Sequence, residues 1–163
     1  LYNDLKAYRK SMDNWDAPYT PAVSLVRGAV HNLKRLKETT LETVWKETAT
    51  MANAMRAAAE AMNLKLFAAD PVDSVTALVV PDGVDESALR KSMSTKYGFH
   101  IAGGQGDMKG KIFRLSHMGA IDAFDLLGAI AALELTLSEL GHNVKLGSGI
   151  TAAQHVLADA FGR

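Results

Sequence analysis

The sequence predicts an α+β domain, a small antiparallel or mixed sheet of three to four strands covered by helices on one face. Three observations lead to it: apolar stripes at helical spacing come first, short β-branched runs follow, and the strongest amphipathic helix lies late in the chain. The order helix, helix, strand, strand, helix, strand, strand, helix lets one sheet form and one layer of helices bury it.

Leu1 to Asn14 carries a weak helical pattern through Leu5, Tyr8 and Met12. In Asp16-Ala17-Pro18-Tyr19-Thr20-Pro21 the two prolines enforce an extended segment, and Thr20 followed by Pro21 reads as a helix cap with proline at the first helical position. Behind it Val23, Val26, Val30, Leu33 and Leu36 form one apolar face of a helix ending near Lys37. Thr40, Glu42 and Glu47 open a second helix with Leu41, Val44, Ala52, Met55, Ala59 and Met62 inside, stopping at Asn63. The period then changes. Leu64 to Ala68 and Ser74 to Val80 read as strands, the latter ended by Pro81-Asp82-Gly83. Asp85 caps a helix to about Tyr97, Phe99 to Ala102 is extended, Gly103-Gly104-Gln105-Gly106 is a loop, and Lys111 to Leu115 alternates as a strand. Ala120 to Leu140 is the strongest helix, ended by Gly141, and Ile150 to Phe161 suggests a last one.

The chain has 163 residues, enough for one continuous core, and 48% hydrophobic with 22% charged residues is ordinary for a globular protein. Eighteen basic residues balance eighteen acidic ones without a cationic cluster, so neither nucleic acid nor membrane is an expected partner. There is no cysteine, hence no disulfide framework and no thiolate metal site; a cytoplasmic location is the default expectation. The start, Leu-Tyr-Asn-Asp, has neither an initiator Met nor a signal-peptide pattern, and reads as internal to something longer.

Few residues carry chemistry. Arg114, in the alternating strand after the Gly-rich loop, reads on spacing alone as a surface ion-pair residue on an exposed strand face, although its planar fork would suit a carboxylate. Gly103-Gly104-Gln105-Gly106 lacks the spacing and the Lys-Ser/Thr of a phosphate loop. The five histidines lack zinc spacing, His117 is left without a role, and Met51, Met55 and Met62 read as core.

Tyr19-Thr20-Pro21-Ala22-Val23-Ser24-Leu25, together with Gly103-Gly104-Gln105-Gly106 and Gly110-Lys111-Ile112-Phe113-Arg114-Leu115-Ser116-His117-Met118-Gly119, resembles the class V, fold-type I pyridoxal-phosphate aminotransferases, most nearly the alanine/serine–glyoxylate (serine–pyruvate) group. The resemblance reaches to about His142 and implies three parts: residues 1–20 as an arm or linker from a missing large domain, 21–142 as the C-terminal domain, and 143–163 as a helical extension. It implies that Arg114 binds the substrate α-carboxylate and that Gly104 lets the backbone turn tightly beside the substrate. Tyr19 or Thr20 would reach across a homodimer to the cofactor phosphate.

The implied activity moves an amino group between a small amino acid (alanine or serine) and a 2-oxo acid (glyoxylate or pyruvate). The Schiff-base lysine would come from the large domain, with no lysine here read as standing in the family's Ser-x-Lys context. The isolated chain is therefore expected to be inactive. A desulfurase relative would need a cysteine, and a phosphoserine-specific one more cations than Arg114. From another class, the chain could be a non-catalytic assembly domain derived from the same fold.

Overall fold

The structure, a computed structural model, describes residues 4–161. Two compact units divide inside one helix, Leu1–Val44 and Trp45–Arg163.

In the first unit, helix α1 (Leu5–Met12) is capped by Asp4, whose carboxylate accepts from Lys6 N (2.9 Å) and Ala7 N (3.3 Å). Leu1, with which the expected first helix begins, lies outside the described residues. The ring of Tyr8 on α1 packs against that of Tyr19 at 6.4 Å between centroids. Helix α2 (Val23–Thr39) follows, and it buries none of its residues. It springs from Ala22, not from Thr20: Val23 N–H already bonds Pro21 O (2.8 Å), so the first turn starts beyond the reach of the expected cap. Thr40, at φ 72°, breaks the helix, and its hydroxyl accepts from Thr43 N (3.3 Å) to open α3 (Leu41–Ala61).

The second unit takes most of α3, then β1 (Val75–Val79), α4 (Glu86–Tyr97), β2 (Ala102–Gly103), a 3-10 turn at Gly106–Met108, β3 (Ile112–Ser116), α5 (Ala123–Glu139) and α6 (Ser148–Phe161). The strands form an antiparallel sheet in the order β1-β3-β2. Side chains alternate across a sheet. Leu78, Phe113 and Leu115 therefore join Ala58 and Met62 of α3, Leu89 and Met93 of α4, Ile130, Leu133 and Leu137 of α5 and Leu157 of α6 in one core. Met55 is buried there and Met51 packs at its margin. The observed three-stranded antiparallel sheet with helices on one face is the α+β class that the periodicity predicts.

Two strand expectations need correction. Leu64 to Ala68 is no strand, because only an isolated bridge, Leu66 to Leu78, forms there. Leu64 N–H is spent on Ala59 O at the end of α3 (2.8 Å), and Pro71 interrupts any extension beyond Asp70. Gly103, expected in a loop, is the last residue of β2.

One polar cluster ties three helices together. Glu134 of α5, only 2% exposed, accepts Gly147 N–H at 2.9 Å and Gly149 N–H at 2.6 Å, which satisfies the start of α6 and places a negative charge at its positive end. Ser148 donates its hydroxyl to Ala61 O (3.2 Å) and His142 Nε2–H donates to Met62 O (3.0 Å), closing the end of α3. Glu134→Ala leaves the buried Gly149 N–H and the half-buried Gly147 N–H without their partner, and should cost roughly 3 kcal/mol in urea unfolding, with Glu134→Gln costing less. A loss below about 0.5 kcal/mol, the range of an ordinary surface change, would show that the cluster does not hold the helices.

Candidate functional site

β3 sets the site by parity. Phe113 and Leu115 turn toward the helices, so Arg114 between them turns to the opposite face. Its cross-strand neighbours on that face are Ala77 and Ala102, both too small to cover it. The guanidinium bends toward the Gly-rich loop, where Nε (3.2 Å) and Nη2 (2.8 Å) both donate to Gly103 O. It is half-buried and, among the described residues, has no ion-pair partner. A neutral carbonyl thus fixes one edge of the fork while the charge stays uncompensated, and the Nη1–Nη2 edge retains hydrogens for two oxygens of an anion.

Gly104 follows directly and donates its N–H to Ile112 O at 3.0 Å. A Cβ there would overlap the Met108 carbonyl, which the 3-10 turn folds back over it. Glycine is therefore required by the chain's own backbone, whatever else approaches. Arg114 and the Gly103-Gly104 pair are brought together in this way. Tyr19 and Thr20 belong to the first unit, beside the start of α2, whose first turn carries no acidic side chain and whose cap residue Ala22 offers no side-chain bond.

His117 points to the other face from Arg114. It is fully buried, and its Nε2 shares a 2.7 Å hydrogen bond with Thr76 Oγ1, while Nδ1 has no partner. Burial pushes its pKa down to about 4; the nearby Arg56 guanidinium adds to the fall and Asp73 opposes it. The imidazole is neutral and belongs to the packing. Arg56 itself clamps the approach to β1, donating through Nη2 to Asp73 (2.9 Å), Val72 O (3.1 Å) and Pro71 O (3.2 Å).

One lysine does follow a serine at the expected interval, contrary to the reading of the sequence: Ser94-Thr95-Lys96 ends α4. Its Nζ is ion-paired with Glu139, whose other oxygen accepts the Tyr97 hydroxyl at 3.0 Å. The bond to Glu139 raises the lysine's pKa, the reverse of what a nucleophilic amine needs. Two further partners of the site escaped sequence reading. These are the Gly103 carbonyl, since backbone acceptors have no residue signature, and the Glu86–Arg90 ion pair of α4, whose i,i+4 spacing was the available signal. Among the described residues no group of three or more acidic or histidine side chains could hold a metal ion, and no helix is long and apolar enough to cross a membrane.

No family model matches the chain. The soluble hydrogenase small subunit of Synechococcus sp. (strain PCC 6716) is 39% identical over 98% of this chain and 42% of its own length. The serine–glyoxylate aminotransferase of Hyphomicrobium methylovorum is 38% identical over 88% of this chain and 36% of its length. Among solved structures, pyridoxamine–pyruvate aminotransferase from Mesorhizobium loti superimposes with a TM-score of 0.83 at 35% identity, covering 88% of this chain and 38% of that one. The chain thus spans about two fifths of the length of the relatives it matches.

Two outcomes follow from the geometry. Because the folded pKa of His117 lies below its ordinary 6.5, the unfolded chain binds the extra proton: stability is full above about pH 6.5 and falls toward pH 4. The loss should be of the order of 2–3 kcal/mol, and a His117→Gln variant should lack that slope in urea unfolding at successive pH values. Gly104→Ala should cost at least about 2 kcal/mol in the same assay, because the obstacle is backbone and cannot rotate away. An unchanged midpoint would mean that the loop is not closed as described.

Proposed function

We propose that this chain, a homologue of the C-terminal portion of the class V pyridoxal-phosphate aminotransferases, is the domain that receives the substrate carboxylate in such an enzyme. The whole protein would move an amino group between a small amino acid such as alanine or serine and glyoxylate or pyruvate. The observation that carries this reading is the half-buried Arg114 guanidinium, oriented by a neutral carbonyl and unmatched by any carboxylate among the described residues.

When bound, pyridoxal phosphate supplies the electron sink that makes amino-group exchange possible. This chain's part is binding and orientation. Arg114 holds the two carboxylate oxygens in the plane of its fork and so fixes which bonds of the α-carbon face the cofactor. Gly104 keeps side chains out of that approach. Tyr19 or Thr20 stands beside the start of α2, and the positive end of a helix with a hydroxyl near it suits a phosphate. We assign that phosphate to the second subunit of a homodimer.

The Schiff-base amine is assigned to a segment outside this chain, because Lys96 is committed to Glu139. For the relative named as a hydrogenase subunit, this cysteine-free chain brings no thiolate to a redox metal, and its clearest feature remains a carboxylate-sized cation. An assembly role is favoured by the exposed apolar row of α2, Val23, Val26, Val30 and Leu33. Such a role is compatible with a homodimer and does not use Arg114.

In the full-length protein Arg114→Ala should raise the KM for both amino and oxo acid about a hundredfold, the loss of a charge-assisted pair, while Arg114→Lys should recover only part. Unchanged kinetics would reject the assignment. The chain by itself, incubated with pyridoxal phosphate and borohydride, should yield no stoichiometric reduced adduct, and an adduct accompanied by turnover would overturn the inactive-domain reading.

A further inference from the structure

Glu86 is 7% exposed, one of the few charged side chains in the buried set. It lies in the first turn of α4, bonded to Arg90 one turn on, through Nε to Oε1 and through Nη2 to Oε2 at 3.4 Å. Only the carboxylate is buried, for the Arg90 side chain remains 41% exposed, and a pair so open to water adds little to stability, which leaves stability a poor reason for its place. That place is directly under Gly103: a Cβ on Gly103 would overlap the Glu86 carboxylate and come within 3.0 Å of Arg90 Nε. The ion pair therefore occupies the volume of the missing side chain.

Gly103 is also the residue whose carbonyl holds Arg114. β2 is two residues long and pairs with β3 only at Ala102–Arg114 and Gly103–Phe113, so the ladder gives this peptide little support beyond itself. On one side of this peptide Gly104 N–H bonds Ile112 O, and at the Gly103 Cα the Glu86–Arg90 pair fills the space a side chain would take. We propose that the Glu86–Arg90 pair of α4 is a positioning device that acts through the Gly103 peptide to aim the Arg114 guanidinium. This inference rests on the reading of Arg114 as a carboxylate site.

The test uses the full 163-residue chain labelled with 15N. The Arg114 Nε–H resonance, assigned by its loss in Arg114→Ala, reports how firmly the guanidinium is held through its solvent exchange, and a pyruvate titration reports carboxylate docking. Glu86→Ala should speed the exchange and weaken pyruvate binding, each about tenfold, as for the loss of a partner that orients a ligand. Glu86→Gln, which keeps the bulk and a bond to Arg90, should restore both to within about twofold of the original, a rescue that general destabilisation would not give. If Glu86→Ala does not fold, Arg90→Lys, which loses the fork but keeps the charge, replaces it with the same expectation. A folded variant with unchanged exchange and unchanged affinity overturns the proposal. Absence of any pyruvate response in the original chain would instead count against the carboxylate reading, and the exchange rates would still decide whether the pair positions Arg114.

Discussion

β3 is hydrogen-bonded on both edges, so its side chains can only rise toward the helices or point away from them. Phe113 and Leu115 take the first direction because their burial supplies much of the sheet's attachment to α3, α4, α5 and α6. Arg114 is thereby forced onto the open face, where alanines flank it on both neighbouring strands. A shift of register by one residue would exchange these roles, burying a charge and exposing a phenyl ring, which makes the register strongly specified. The candidate site is in that sense a by-product of core packing: the same alternation that makes the strand stable puts the cation outside.

The polar groups of the second unit divide into those that are consumed by the fold and those that are held for something else. Glu134, Ser148 and His142 are consumed, each satisfying backbone groups at helix ends that would otherwise lie buried and unpaired. His117 is consumed as a neutral core residue bonded to Thr76. Lys96 is consumed by Glu139. Arg114 differs from all of these because its partner is a carbonyl, which orients a guanidinium without cancelling its charge. A carboxylate in the place of Gly103 O would have given a stabler surface and a closed site.

The Gly-rich loop shows how one sequence feature can serve two masters. Gly103 and Gly104 are both required by close approaches within the chain, to Glu86 and to the Met108 carbonyl. Neither needs a left-handed backbone, so the reason for glycine is volume, and a flexible-hinge explanation is unnecessary. The tight packing on both sides is also what gives the Gly103 carbonyl a fixed direction, and a fixed acceptor is a precondition for a fixed cation.

Local pattern sufficed for the helices and their order. Asp85 announced the start of α4, Gly141 marked the end of α5, and alternation from Lys111 announced β3, because caps and periodicities are properties of neighbouring residues, whereas α5 begins at the Asp122 cap and not at the expected Ala120. Arg114 stood out only through the resemblance of its motif, since spacing alone pointed to a surface ion pair. Tertiary structure decided what depends on residues far apart in the chain. It denied Leu64 to Ala68 a full strand partner, drew Gly103 into β2, sent His117 into the core, and set Glu134 against the start of α6. It also left Arg114 with an acceptor and no counter-ion. Whether a charge is matched is decided by which distant groups folding brings within about 4 Å, and one-dimensional spacing carries no record of that distance.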